Sequence, residues 1–188
     1  MGEALRIFVS ATADLEVERA VIGKTVAELP IQLRTEIRRY PREGTSYETL
    51  FELIANVDRV YFLLGNDITA PSGSEWDLAM QLERPLLAIR KPGRLTPAAR
   101  EFLRHAQFQV AAREWRIFRS DAELGRIIAL DLADMLLHPL NRYGLSVADM
   151  EAVNAWRRRW EAVGRPTATS QEPGGAEAAA VILEKGRN

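Results

Sequence analysis

The sequence predicts an α/β fold: a three-layer sandwich built on a mostly parallel five-stranded sheet, with further helices at the C-terminal end. Two observations carry this expectation. The apolar runs "LRIFV" (5–9), "VYFLL" (60–64) and "PLLAI" (85–89) are short and continuous, the pattern of strands buried on both faces. Segments with helical apolar spacing lie between them, and strands alternating with helices imply right-handed crossovers between parallel strands.

Each element follows from its own pattern. After strand 5–9, residues 14–29 place Leu15, Ile22, Val26 and Leu29 on one stripe of a helix. "IQLRTEIRRY" (31–40) alternates Ile31, Leu33 and Ile37 with Gln32, Arg34, Glu36 and Arg38, so it reads as a strand near a sheet edge with one less buried face. Residues 46–57 form a second helix carrying Tyr47, Leu50, Phe51, Ile54 and Val57, with Thr45 and Glu48 as a T-x-x-E capping box. Strand 60–64 leads through a turn-rich loop (63–73) to a helix over 74–85. There Ser72 or Ser74 is the expected N-cap, and Glu75 and Asp77 fall in the first turn. Strand 85–89 and a fifth strand in "REWRIFRS" (113–120) precede a helix over 121–137, with Leu124, Ile127, Ile128, Asp131 and Met135 on successive turns. A last helix over 146–164 offers Met150, Val153, Trp156 and Trp160 to one face. Five such strands suggest the flavodoxin-like order 2-1-3-4-5. The expected organisation is an α/β domain over 1–140 and a C-terminal helix over 141–164. A linker without periodicity follows over 165–188, ending in the apolar "AAAVILEK".

Composition narrows the class of function. The chain has 188 residues, 47% of them hydrophobic and 27% charged, which is usual for a globular protein. Its formal net charge of −1 provides no global field towards nucleic acid or anionic lipid, so nucleic-acid binding ranks low. "WRRRW" (156–160) reads as a helix that buries its tryptophans and leaves its arginines solvated. The chain has no cysteine, and no apolar run approaches the roughly 18 residues of a membrane span, so a cytoplasmic protein without export signal or membrane anchor is expected. His105 and His138 are far apart and no acidic or histidine cluster has ligand spacing, which argues against a metal site. There is no P-loop and no G-x-G-x-x-G.

In open parallel sheets, ligands sit beyond the C-terminal strand ends, at the switch point between strands 1 and 3. That rule selects loops 10–14, 39–46, 65–74 and 90–97. The first holds Ser10, Thr12 and Asp14, whose hydroxyls and backbone N–H groups suit ribose or phosphate oxygens, with helix capping by Thr12 or Asp14 as the alternative. The second holds Arg39 and Arg42, a small anion site after a strand end. The third contributes Gly65, Asp67 and Ser72 in what is either a binding loop or a plain surface turn. It leads into Glu75, with Trp76 as an aromatic surface beside it. Glu75 is either a charge favoured near a helix N-terminus or a carboxylate that stabilises or attacks an oxocarbenium-like centre.

"SEWDLAMQLERP" (74–85) resembles the nucleoside deoxyribosyltransferase-like pattern: a Glu opening a helix, a small residue four positions on (Ala79), and a basic-Pro pair (Arg84, Pro85) before the next strand. TIR domains share that fold and also place a Glu near the bound nucleotide. The chain is most similar to the uncharacterised flavodoxin-like domain often found at the N-terminus of bacterial STAND-type NTPases. "IFVSATADLEVER" (7–19), Tyr40–Pro41, "IANVDRVYFLLG" (54–65) and "SGSEWDLAMQLERPLLAI" (72–89) carry that similarity in order over about residues 5–90. The resemblance implies a nucleotide-handling fold in signalling or defence, with cleavage of the N-glycosidic bond of NAD or a nucleoside as its enzymatic form. It implies Glu75 as nucleophile or oxocarbenium stabiliser, with Ser10 and Asp14 on the ribose or phosphate side. NAD or a nucleotide is then substrate or ligand, and no further cofactor is implied.

Two departures accompany the match. Asp77 stands where transferases usually have Gly, so a second carboxylate is expected to crowd Glu75 or raise its pKa, and the first turn is one residue shorter. The competing reading is a non-catalytic module that senses a nucleotide, or assembles with itself or a partner protein through the final helix and tail.

Overall fold

The computed structural model describes residues 3–41, 44–109 and 115–163. Five parallel strands form one sheet in the order β2-β1-β3-β4-β5, as the alternation of strands and helices predicts. They are β1 (Leu5–Ser10), β2 (Thr35–Arg38), β3 (Arg59–Leu64), β4 (Leu86–Arg90) and β5 (Arg116–Ile117). Six α-helices join and follow them: α1 (Glu16–Ala27), α2 (Tyr47–Ala55), α3 (Ala70–Gln81), α4 (Pro97–Gln109), α5 (Asp121–Leu136) and α6 (Val147–Ala162).

The pleat divides each central strand between two cores. Leu5, Ile7 and Val9 of β1 and Tyr61 and Leu63 of β3 pack with α1, α5 and α6, while Phe8, Val60, Phe62 and Leu64 pack with α2, α3 and α4. Both faces of β1 and β3 are therefore dry, which is why their sequences read as unbroken apolar runs. On the second face Phe62, Trp76, Phe102 and Trp115 form an aromatic cluster, with Trp76 and Trp115 stacked at 5.7 Å and 2°. Each such ring pair contributes about 0.5–1.5 kcal/mol beyond the area it buries.

Several boundaries differ from the sequence reading, for local reasons. β2 is confined to Thr35–Arg38, because an edge strand has one neighbour and residues 31–34 lead up to it as bend and coil. β5 is two residues long and pairs only with β4; residues 113 and 114 of the expected strand lie outside the described residues. The expected T-x-x-E box does not start α2: Ser46 is the N-cap and accepts from the Thr49 N–H. Residues 13–15 form a 3-10 turn ahead of α1, with Thr12 in the cap position but no capping bond from its side chain. α6 carries the complete capping box, Ser146 with Asp149. The expected linker and tail, 165–188, lie outside the described residues.

The largest difference concerns α3. It begins at Ala70, capped by Thr69, whose Oγ1 accepts from the Ser72 N–H, and neither Ser72 nor Ser74 is the cap. Pro71 occupies the first turn, where its missing N–H costs nothing and its fixed φ suits a helix. Glu75 therefore stands in the second turn, clear of the terminal N–H groups, and its place is not explained by helix capping.

Among the described residues, no helix is long and apolar enough to cross a membrane.

Candidate functional site

β1 ends at Ser10, which is in register with Phe62 of β3, and the chain then turns through Ala11 and Thr12 into the 3-10 turn. β2 ends beside it, since Phe8 is in register with Arg38, so Tyr40 and Pro41 rise next to that turn. α3 approaches from the other side with Thr69, Ser72 and Glu75. The space between these elements is an open crevice of about 930 Å³ at the C-terminal end of the sheet, at the β1/β3 switch point.

Glu75 is the buried charge of this crevice, 3% exposed although it lines the cavity. Ser10 Oγ, itself buried, donates a hydrogen bond to Glu75 Oε2. Desolvation raises the Glu75 pKa to about 7, against the opposing pull of the Ser10 hydrogen bond and the positive charge of Arg19. A carboxyl with that pKa changes charge near neutral pH, the range in which a general acid or base works.

The opposite wall is built by the first turns of α1. Arg19 Nη1 donates to Glu16 Oε2, and Nη2 donates to the Ala11 carbonyl. Glu16 Oε1 accepts from Arg39 Nη1 at 3.2 Å. Tyr40 accepts at its hydroxyl from the Thr45 N–H, which fixes the ring beside Gly44. Gly44 has φ of +86°, a conformation that side chains rarely adopt, and its N–H donates to the Pro41 carbonyl.

Ser10, Thr12, Ser72 and Glu75 are thus brought together as expected for a shared site. Asp14 is exposed and accepts from the Thr12 hydroxyl. Its carboxylate lies against Gly65, where an added Cβ would come within 2.8 Å of Asp14 Oδ2, so Gly65 permits a close approach of β1–α1 turn to β3 end. Arg39 sits at the rim, tied to Glu16; Arg42 lies outside the described residues.

Three expectations are corrected. Asp67 turns away from the crevice, accepting from the Thr96 hydroxyl at 2.5 Å and from the Ile68 N–H at 2.8 Å, which holds its pKa below the usual value. Trp76 is 1% exposed and belongs to the aromatic core, because the residue after Glu75 on a helix points about 100° away from it. Asp77 is exposed and is not among the causes that move the Glu75 pKa, for the same rotational reason.

Sequence reasoning missed Glu16 and Arg19. Neither lies on the apolar stripe that marks this helix, yet α1 starts at a strand end, where the first turns of a helix face the crevice. Their i,i+3 spacing was the available signal.

A second cavity, of about 420 Å³, lies at the opposite end of the sheet near Asp58, Arg59 and Tyr143. Its charges are matched within the protein: Asp131 accepts from Arg59 at 2.9 Å and from the Tyr61 hydroxyl at 3.0 Å, and Arg142 pairs with Asp58 and with Glu3. Among the described residues there is no group of three or more His, Asp or Glu side chains placed to hold a metal ion. Compared with known proteins, the chain matches no family model, no curated protein and no solved structure.

Proposed function

We propose that the crevice binds a nucleotide-type ligand and that Glu75 acts on its N-glycosidic bond, with NAD or a related nucleotide as substrate. The observation that carries this reading is a single carboxyl, buried yet lining an open cavity, held by a hydroxyl rather than a cation. In its ionised form Glu75 stabilises or attacks the anomeric carbon as the bond to the base breaks and its electron pair leaves with the base. Water then takes the sugar, and the proton it releases goes to solvent or to the departing base. Ser10 orients the carboxylate and favours its charged form. The likeness of "IFVSATADLEVER" and "SGSEWDLAMQLERP" to the TIR and deoxyribosyltransferase-like superfamily supports the same chemistry, and a role in signalling or defence.

The low exposure of Glu75 favours a second reading, a crevice that binds a nucleotide without cleaving it. Chromatography of NAD and nucleosides incubated with the protein at high concentration separates the two. Cleavage by the wild type that falls by roughly 10³-fold or more in Glu75→Gln establishes the enzyme. Binding without product in either protein establishes the sensing module.

A further inference from the structure

Glycosidic chemistry at Glu75 leaves the ion chain on the opposite wall without a role. Glu16 lies between two guanidinium groups and uses one oxygen for each: Arg19 on Oε2 and Arg39 on Oε1. The two arginines differ in their surroundings. Arg19 is 17% exposed, its fork is held by the Ala11 carbonyl, and its Nε–H is buried without an acceptor. Arg39 is 49% exposed and Glu16 is 44% exposed, so that side of the chain opens to water.

This is the form of an anion seat occupied by the protein's own carboxylate. A buried fork and a more exposed one suit a tetrahedral oxyanion, which accepts from both guanidiniums at once. The N-terminal turn of α1 adds its partial positive charge on the same side. We propose that Glu16 occupies, in the free protein, the seat of a phosphate group of the ligand, and that Arg19 and Arg39 hold that phosphate once Glu16 swings out to solvent. The substrate class narrows accordingly, to nucleotides carrying a phosphate rather than free nucleosides. This deepens the preceding proposal and rests on the same crevice being the ligand site, but does not depend on cleavage.

The test is calorimetric titration of the full chain with ribose 5-phosphate and with ribose at low ionic strength, where surface charge pairing is least screened. Ribose 5-phosphate is expected to bind and ribose is not. Glu16→Gln, which removes the competing charge, is expected to tighten ribose 5-phosphate about tenfold, and Arg39→Met to weaken it about tenfold or more. Arg19→Met should do the same. Because Arg19 also braces the Ala11 turn, Arg39→Met, at an exposed position, keeps the test valid should Arg19→Met misfold. Weakened or unchanged binding in Glu16→Gln would make Glu16 a brace for Arg19 and overturn the proposal, as would equal binding of ribose and ribose 5-phosphate. Repeating the titration with Glu75→Gln separates the two proposals: phosphate binding that persists there, with no cleavage by the wild type, leaves the seat standing and removes the enzyme.

Discussion

Glu75 and Glu18 are each 3% exposed, both near the C-terminal end of the sheet, and they live in different chemical surroundings. Glu18, on α1, receives Lys91 Nζ at 2.5 Å, just beyond the end of β4, and Lys91 has its pKa raised by that contact. Glu75, on α3, receives a serine hydroxyl and faces an open cavity. Burial is common to both, so burial does not distinguish a structural carboxylate from one available for chemistry. The partner does: an ammonium compensates the charge of Glu18, whereas the hydroxyl of Ser10 leaves Glu75 with a desolvation cost that shows as a pKa of about 7.

The contrast yields expectations in falling order of size. Glu75 binds its proton more readily in the folded chain than in the unfolded one, where a pKa near 4.5 applies. Between about pH 4.5 and 7 the folded state therefore holds more protons, and stability falls as pH rises through that window; the loss is complete above it. A shift of this size corresponds to about 3 kcal/mol. Urea unfolding from pH 4.5 to 8 should show that loss in the wild type and a flatter profile in Glu75→Gln. Asp131, whose pKa is also raised, chiefly by burial, contributes a slope of the same sign in both proteins. Equal slopes in the two proteins would sink the idea that Glu75 is poorly compensated.

The complementary change acts on the other carboxylate. Lys91→Met strands Glu18, and the thermal midpoint at pH 7 should fall by several degrees, with any turnover at Glu75 retained. An unchanged midpoint would mean that the Lys91 contact does not compensate Glu18. Smallest in size is Ser10→Ala. It removes a hydrogen bond that lowers the Glu75 pKa, so that pKa should move further up, and the rise of kcat/KM with pH should shift alkaline by less than a unit. Rescue of the neutral-pH rate at higher pH would separate this effect from a general loss of structure.

The sheet order was legible because β1, β3 and β4 are covered on both faces and must be apolar at nearly every position. Edges were less so: β2 and β5 have one neighbour each, and pairing rather than composition sets their length. The start of α3 was misplaced because Pro71 and Gly73 carry turn signals that a first helical turn also tolerates. That one error put Glu75 at a helix terminus and lent weight to a capping role it does not have. Ser10, Thr12 and Ser72 were legible from the switch-point rule, and Glu75 as the residue that the third of its loops leads into. Arg19 was not, because its part in the crevice depends on the Ala11 carbonyl and on Glu16, contacts that a periodicity reading of α1 does not represent.

The stacked indoles beneath α3 have an optical consequence. All four tryptophans of the chain stand in two pairs: Trp76 with Trp115 in the core under the crevice helix, and Trp156 with Trp160 on the α6 side of the sheet. The first pair is nearly parallel at 5.7 Å and the second is edge-on at 6.3 Å, so their electronic transitions couple differently. Trp76 directly follows Glu75, so any displacement of α3 would alter the geometry of the parallel pair, with the pair on the other face of the sheet as an internal reference. The protein thus carries its own spectroscopic gauge of the crevice, readable by near-ultraviolet circular dichroism without any added label.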